Sequence, residues 1–97
     1  MANCYILFSP TLNKFYIGST SENIEVRLQK HLTKFYGTNH FTAAASDWKP
    51  YYLMECETFD QAKAIEHHIK RMKSKKYIEN LKAYPEMTQR LLLKYNQ

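Results

Sequence analysis

Ninety-seven residues, 44% of them hydrophobic, carry 14 lysines and arginines against 9 acidic residues, a formal net charge of +5. That length is one domain with a modest core, and the hydrophobic share excludes a disordered tail. No apolar run approaches the roughly 20 residues that span a bilayer, and the N-terminus lacks the basic start, apolar stretch and cleavage site of a signal peptide, so the expected location is cytoplasmic with no membrane partner.

Residues 3–8 bring together Tyr5, Ile6, Leu7 and Phe8, side chains that favour strands. Pro10 and Asn13 punctuate a turn over 9–14. Phe15 to Ile17 resume a strand that Gly18 is expected to end, which makes a hairpin. If Phe8 faces Phe15, then Leu7 faces Tyr16 and Tyr5 faces Gly18. Tyr5 and Tyr16 become diagonal neighbours on one face, about 7 Å apart; a slip of one residue separates them.

Asn23 reads as a helix N-cap with Glu25 in the first turn. Ile24, Leu28, Leu32 and Phe35 repeat at helical spacing, and Gly37 is the expected C-cap. Arg27 and His31 lie one turn apart on a face bordering that stripe. Residues 38–47, polar and alanine-rich, read as a loop. Tyr51 to Cys56 form a third strand, with Pro50 fixing its start.

Thr58 and Gln61 fit a capping box that opens a second helix, with Phe59, Ala62, Ile65, Ile69 and Met72 as its buried stripe. Glu66 sits beside that stripe. An acid there is paired, bound to a metal, or exposed at the edge. Ser74 marks a break, residues 75–83 form a third helix with Tyr77, Ile78 and Leu81 inward, and Pro85 opens a last helix carrying Leu91, Leu92 and Tyr95. Cys4 and Cys56 show neither CxxC nor zinc spacing and read as small buried hydrophobes. His40, His67 and His68 show no metal spacing either and read as surface or DNA-contact residues, whereas Tyr36, Tyr51, Tyr52 and Tyr84 read as packing residues.

The basic residues are unevenly spread. Lys63, Lys70, Arg71, Lys73, Lys75, Lys76 and Lys82 are opposed within their stretch by Glu66 and Glu79 alone. Against the plain reading of a solvated helix face stands a surface for a nucleic-acid backbone, with Lys70, Lys73, Lys75 and Lys76 as the candidate DNA-binding residues.

The ordered set Tyr5-Ile6, Phe15-Tyr16-Ile17-Gly18-Ser19-Thr20, Asn23 with Arg27-Leu28 and His31, Trp48-Lys49-Pro50, and Glu66 with Ile69-Lys70 resembles the GIY-YIG nuclease domain. The resemblance runs from about Cys4 to Leu81 and looks most like the small stand-alone bacterial members. Two departures are plain. Cys4 stands where the first motif has its glycine, and the segment around Asn39-His40-Phe41 has no lysine where related small members often carry one.

The resemblance implies an α/β fold with a small central three-stranded antiparallel sheet flanked by helices. It implies one nuclease domain over 1–97, with the motif-bearing core over 3–82 and a helical extension over 84–97. The implied activity is a metal-dependent DNA endonuclease with little intrinsic sequence specificity, placed in DNA repair or recombination by likeness to repair-linked members. Tyr5, Tyr16, Arg27, His31 and Glu66 become the catalytic candidates. Glu66 would hold a single Mg²⁺ or Mn²⁺, an ion that prefers oxygen ligands and keeps most of its waters. Arg27 would clamp the phosphate with its planar fork. Tyr5 or Tyr16 would accept the proton of the attacking water; a free phenol titrates near pH ~10, so nearby positive charge must assist. His31 would orient or relay, and Lys14 would touch a phosphate. The implied partner is DNA, branched or structured, with a partner protein or an oligomer supplying targeting. The rivals are a nucleic-acid-binding module of the same fold with cutting weak or lost, a nuclease with true sequence choice, and an RNA-directed enzyme.

Overall fold

Ala2–Ser9 (β1) forms the centre of a three-stranded antiparallel sheet, with Lys14–Thr20 (β2) on one side and Lys49–Cys56 (β3) on the other. The computed structural model describes residues 2–33 and 41–96, so the expectations placed on Phe35, Tyr36, Gly37, Asn39 and His40 lie outside the described residues. Helices Ile24–Leu32 (α1), Phe59–Met72 (α2), Lys75–Ala83 (α3) and Pro85–Lys94 (α4) flank the sheet, which is the expected α/β architecture.

The two-residue period of a strand gives each sheet face its own core. Cys4 and Ile6, with Met54 and Cys56, bury against Ala62, Ile65 and Ile69 of α2, Ile78 and Leu81 of α3 and Leu91 of α4. Tyr5 and Leu7 point the other way and bury with Ala45 and Trp48, joined by Ile24, Leu28 and Leu32 of α1.

Phe8 pairs with Phe15, Leu7 with Tyr16 and Tyr5 with Gly18, the register that makes the two tyrosines diagonal neighbours. Gly18, however, does not end β2: pairing continues through Cys4 with Ser19 and Asn3 with Thr20. At the other end Ser9 pairs with Lys14, so the loop shortens to 10–13. The Asp47 carboxylate holds that turn tight, accepting from Ser9 Oγ at 2.6 Å, Thr11 N–H at 2.9 Å and Thr11 Oγ1 at 2.7 Å. Strand β3 starts at Lys49, ahead of its expected start. Leu7 pairs with Pro50 and Ile6 with Tyr52, leaving Tyr51 as the extra residue of a bulge. A bulge on an edge strand is where a proline's missing N–H does least harm.

The helices also depart from expectation in detail. Asn23 caps α1, its Oδ1 accepting from Glu25 N–H at 2.7 Å. The C-cap of α1 is Thr33, whose N–H and hydroxyl both donate to Gln29 O at 2.8 Å. Within the segment read as a loop, Phe41–Ala44 form a 3-10 turn. Thr58 caps α2 by accepting from Gln61 N–H at 3.0 Å, but Gln61 does not return the bond to Thr58. Its Oε1 accepts from Glu57 N–H at 2.8 Å and its Nε2 donates to Leu92 O at 2.9 Å, so the residue ties the start of α2 to α4.

Phe59 and Met72 are 42% and 45% exposed, not buried; they are the end residues of α2, outside the Ala62, Ile65 and Ile69 stripe. Tyr84 is 52% exposed at the junction of α3 and α4, where it cannot pack inward. His68 is half-buried and hydrogen-bonded through Nδ1 to Tyr95 Oη at 2.8 Å, which makes it a tie between α2 and the chain end, not a surface residue.

Candidate active site

The inner face of the β1–β2 hairpin presents Tyr5 and Tyr16 with ring centroids 6.3 Å apart. Tyr5 is fully buried and Tyr16 half-buried. Gly18 is what lets Tyr5 lie there. A Cβ at that position would overlap Cζ and Oη of Tyr5 and come within 2.9 Å of its Cε1. The glycine therefore serves clearance across the pair, in ordinary extended backbone.

Helix α1 delivers Arg27 and His31 to the Tyr5 hydroxyl. Arg27 Nε donates to Oη at 3.2 Å, and His31 Nε2 is hydrogen-bonded to the same oxygen at 3.0 Å. His31, on the face bordering the apolar stripe, is fully buried, ring to ring with Tyr16 at 5.0 Å. Burying an imidazole costs free energy unless both nitrogens are satisfied, and its Nδ1 is paired with Thr42 Oγ1 at 2.9 Å. Thr42 is itself held by Trp48, whose Nε1–H donates to Thr42 O at 2.8 Å. With the proton on Nδ1, His31 donates to Thr42 and accepts the Tyr5 hydroxyl.

Arg27 also approaches Glu22, NH1 to Oε2 at 3.8 Å, while Lys30 Nζ donates to Glu22 Oε1 at 2.6 Å. That ammonium, with Arg27 behind it, holds the Glu22 carboxyl below its ordinary range.

Glu66 comes from the other layer. Helix α2 packs on the Cys4 and Ile6 face of the sheet, opposite to Tyr5 and Tyr16. Because β2 is an edge strand, Glu66 meets Ser19 on that face: Ser19 Oγ donates to Oε1 at 2.6 Å. Lys70, one helical turn on, donates to Oε2 at 2.6 Å and lies 5.9 Å from the Tyr16 ring centroid. Lys70 thus links the carboxylate to the tyrosine face around the β2 edge.

Glu66 would be the one protein carboxylate offered to a hydrated divalent ion. Lys70 Nζ is a cation on Oε2, so this oxygen is placed to take positive charge. Among the described residues no group of three or more His, Cys, Asp or Glu is arranged to hold a metal. One carboxylate suits Mg²⁺ or Mn²⁺ with a mostly water shell and does not suit structural zinc.

The other candidates fall in two places. Lys14, Lys73 and Lys75 gather at a cleft beside β2, and Lys75 Nζ donates to Asn13 O at 2.6 Å. Lys76 is exposed on α3. Cys4, in the glycine position of the first motif, is fully buried; enclosure and the nearby Cys56 and Glu66 push its thiol far up. A separate cavity of about 340 Å³, lined by Glu55, Gln61, Leu92 and Leu93 among others, includes none of the candidates.

Ser19 and Thr42 had no assigned role in the sequence reading. Strand parity continued past Gly18 would have found Ser19, on the same side as Ile17. No local signal marks Thr42, which matters only because Trp48 and His31 converge on it.

Compared with family models, residues 1–79 match the GIY-YIG catalytic domain. No curated protein and no solved structure gives a match.

Proposed function

Because the chain belongs to the GIY-YIG family, whose domain implies nuclease activity on nucleic acid, we propose that it is a metal-dependent DNA endonuclease with little intrinsic sequence choice. The observation that carries this reading is the Tyr5 hydroxyl, gripped by Arg27 Nε and His31 Nε2.

Phosphodiester hydrolysis needs an activated water, neutralised phosphate charge and a stabilised leaving oxygen. In this reading Arg27 swings from Tyr5 to clamp the phosphate, which bares the phenol oxygen to the water. Tyr5 Oη takes a proton from the water while its own proton passes to His31 Nε2. The water oxygen bonds to phosphorus, and the leaving oxygen departs with its electron pair and is protonated by solvent. Thr42 keeps His31 aligned throughout. Tyr16 packs against both Tyr5 and His31 and fixes their orientation.

Glu66 would hold Mg²⁺ or Mn²⁺, an ion that neutralises charge building on the leaving oxygen when bound. Ser19 orients the carboxylate, and Lys70 yields Oε2 and turns to the DNA backbone beside Lys14, Lys73, Lys75 and Lys76. Low sequence choice follows from a contact set of lysines and an arginine aimed at phosphates, which position without specifying. A preference for branched or structured DNA, a role in DNA repair or recombination, a targeting partner protein and a cytoplasmic location belong to the same proposal. Among the described residues no helix is long and apolar enough to cross a membrane.

One observation favours a second reading, a binding module of the same fold with cutting weak or lost: both Glu66 oxygens already have donors. Plasmid and branched DNA incubated with Mg²⁺, Mn²⁺ or EDTA, beside folded Glu66→Ala, separate the two. Metal-dependent cutting lost in the variant supports the endonuclease. Salt-sensitive binding without cutting on any substrate supports the module.

A further inference from the structure

We propose that a cleft between β2 and the corner joining α2 to α3 binds an unpaired nucleotide of single-stranded DNA. The inference rests on the nucleic-acid reading above and adds a site outside the tyrosine cluster.

The cleft is an open groove of about 300 Å³, at the lower end of the roughly 300–1,000 Å³ of small-ligand sites. Phe15, Ile17 and Ile78 form its apolar floor, and Lys14, Lys73 and Lys75 stand at its rim. None of its lining residues is acidic. Three lysines alone would suit a bare phosphate, but an apolar floor has no use for one. A nucleotide with an exposed base offers both halves: a flat face for Phe15 and phosphates for the lysines. Aromatic stacking along a basic groove is how proteins hold single strands. A duplex keeps its base faces stacked inside and leaves such a floor uncovered.

Two further features support the assignment. Phe15 is a fixed platform, with Phe8 at 5.0 Å and Tyr51 at 4.8 Å between ring centroids, and Lys82 Nζ sits 4.4 Å over the Tyr51 ring. Cations and aromatic faces therefore continue outward from the cleft. Lys73 caps α2 in the left-handed region, φ 48°, where glycine is the ordinary choice. Here the position carries a lysine.

The cleft also lies on the path to Glu66. Phe15 and Ile17 share a face of β2 with Ser19, which holds the Glu66 carboxylate. Phe15 to Ser19 is four strand residues, about 13 Å. A single strand running along the β2 edge reaches from the cleft to the carboxylate.

Fluorescence anisotropy in EDTA, so that nothing is cut, tests the site with a short labelled oligothymidylate, an oligouridylate and a blunt duplex of equal length. Phe15→Leu keeps an apolar side chain, though a smaller one, and removes the stacking face; it should weaken oligothymidylate binding about tenfold and duplex binding less than twofold. Lys73→Gln should weaken the single strand and increase its salt tolerance. As a measure independent of variant folding, oligothymidylate should shift the backbone NMR signals of Phe15, Ser74 and Ile78 in the parent protein. In Phe15→Leu, equal losses on single strand and duplex or no loss, and in the parent shifts confined to other residues, overturn the proposal; tighter binding of oligouridylate overturns its assignment to DNA. A protein that cuts nothing yet shows these shifts has failed as a nuclease and kept this site. One that cuts DNA with Mg²⁺ but shows no such shifts has lost this site and kept its activity.

Discussion

Gly18 pairs with Tyr5 across the β1–β2 ladder, and the phenol of Tyr5 lies where a Gly18 side chain would be. The glycine of the second motif and the tyrosine of the first are therefore one structural unit. Gly18→Ala would drive the ring away from Arg27 and His31. Overpacking of this kind costs about 1–3 kcal/mol, so the melting temperature should fall, and cleavage should fall further because the phenol loses its partners. Paired thermal melts and cleavage rates check this; parent-like activity would mean that the position of Tyr5 does not matter to the chemistry.

Arg27 donates to Tyr5 and is the candidate phosphate clamp. Arg27→Ala should lower single-turnover cleavage by on the order of 10²-fold or more, as lost electrostatic stabilisation of a transition state does. Stability should change by about 1 kcal/mol, the worth of one hydrogen bond. Arg27→Lys should rescue little, since an ammonium has no Nε–H and no fork. Cleavage at the parental rate in Arg27→Ala would remove the clamp role.

Glu66→Gln keeps the shape and the Ser19 contact but removes the charge. It should abolish metal-dependent cutting with little change in melting temperature, because the Lys70 ion pair is half-exposed, with 47% of the lysine side chain in solvent. The Mg²⁺ dependence of cleavage, measured for both proteins, is the check. An undiminished rate would place the metal elsewhere.

The hydroxyl and amide donors of Ser9 and Thr11 hold the Asp47 carboxyl down from 3.8 to about 2. A group with its folded pKa depressed stabilises the fold above its unfolded pKa and loses that contribution as pH falls through the folded value. The hairpin turn should therefore weaken between about pH 4 and pH 2. Melting temperature against pH should show this acid limb in the parent and a shallower one in Asp47→Asn.

Cys4 and Cys56 are both buried free thiols, and burial pushes both pKa values up. A thiolate, not a thiol, is the nucleophile. Neither should react with iodoacetamide at neutral pH until the protein unfolds, as mass spectrometry before and after denaturant would show. Rapid native alkylation of Cys4 would mean that the β1 core opens.

Much of the hairpin could be read along the chain. Once Phe8 is set against Phe15, a pairing supposed from the sequence and found in the ladder, the two-residue period puts Tyr5 and Tyr16 on one face. The caps at Asn23 and Thr58 were equally legible, since each is a side-chain oxygen reaching a nearby backbone N–H, whereas Ser74, read only as a break, proves to cap α3. Helix ends were less so. Thr33 caps α1 with no signal that marked it, and Phe59 and Met72 fell outside the core although their spacing matched the stripe.

The sequence by itself determined the helix starts and the family resemblance, set by neighbours close in the chain; it made the pairing of the tyrosines conditional on a register that the β1–β2 ladder supplies. Only the tertiary structure decided that His31 is buried between Tyr5 and Thr42, and that Glu66 meets Ser19 at the β2 edge. Periodicity says which residues of an element share a face. It does not say which element that face will meet, because packing between layers depends on the whole core closing at once.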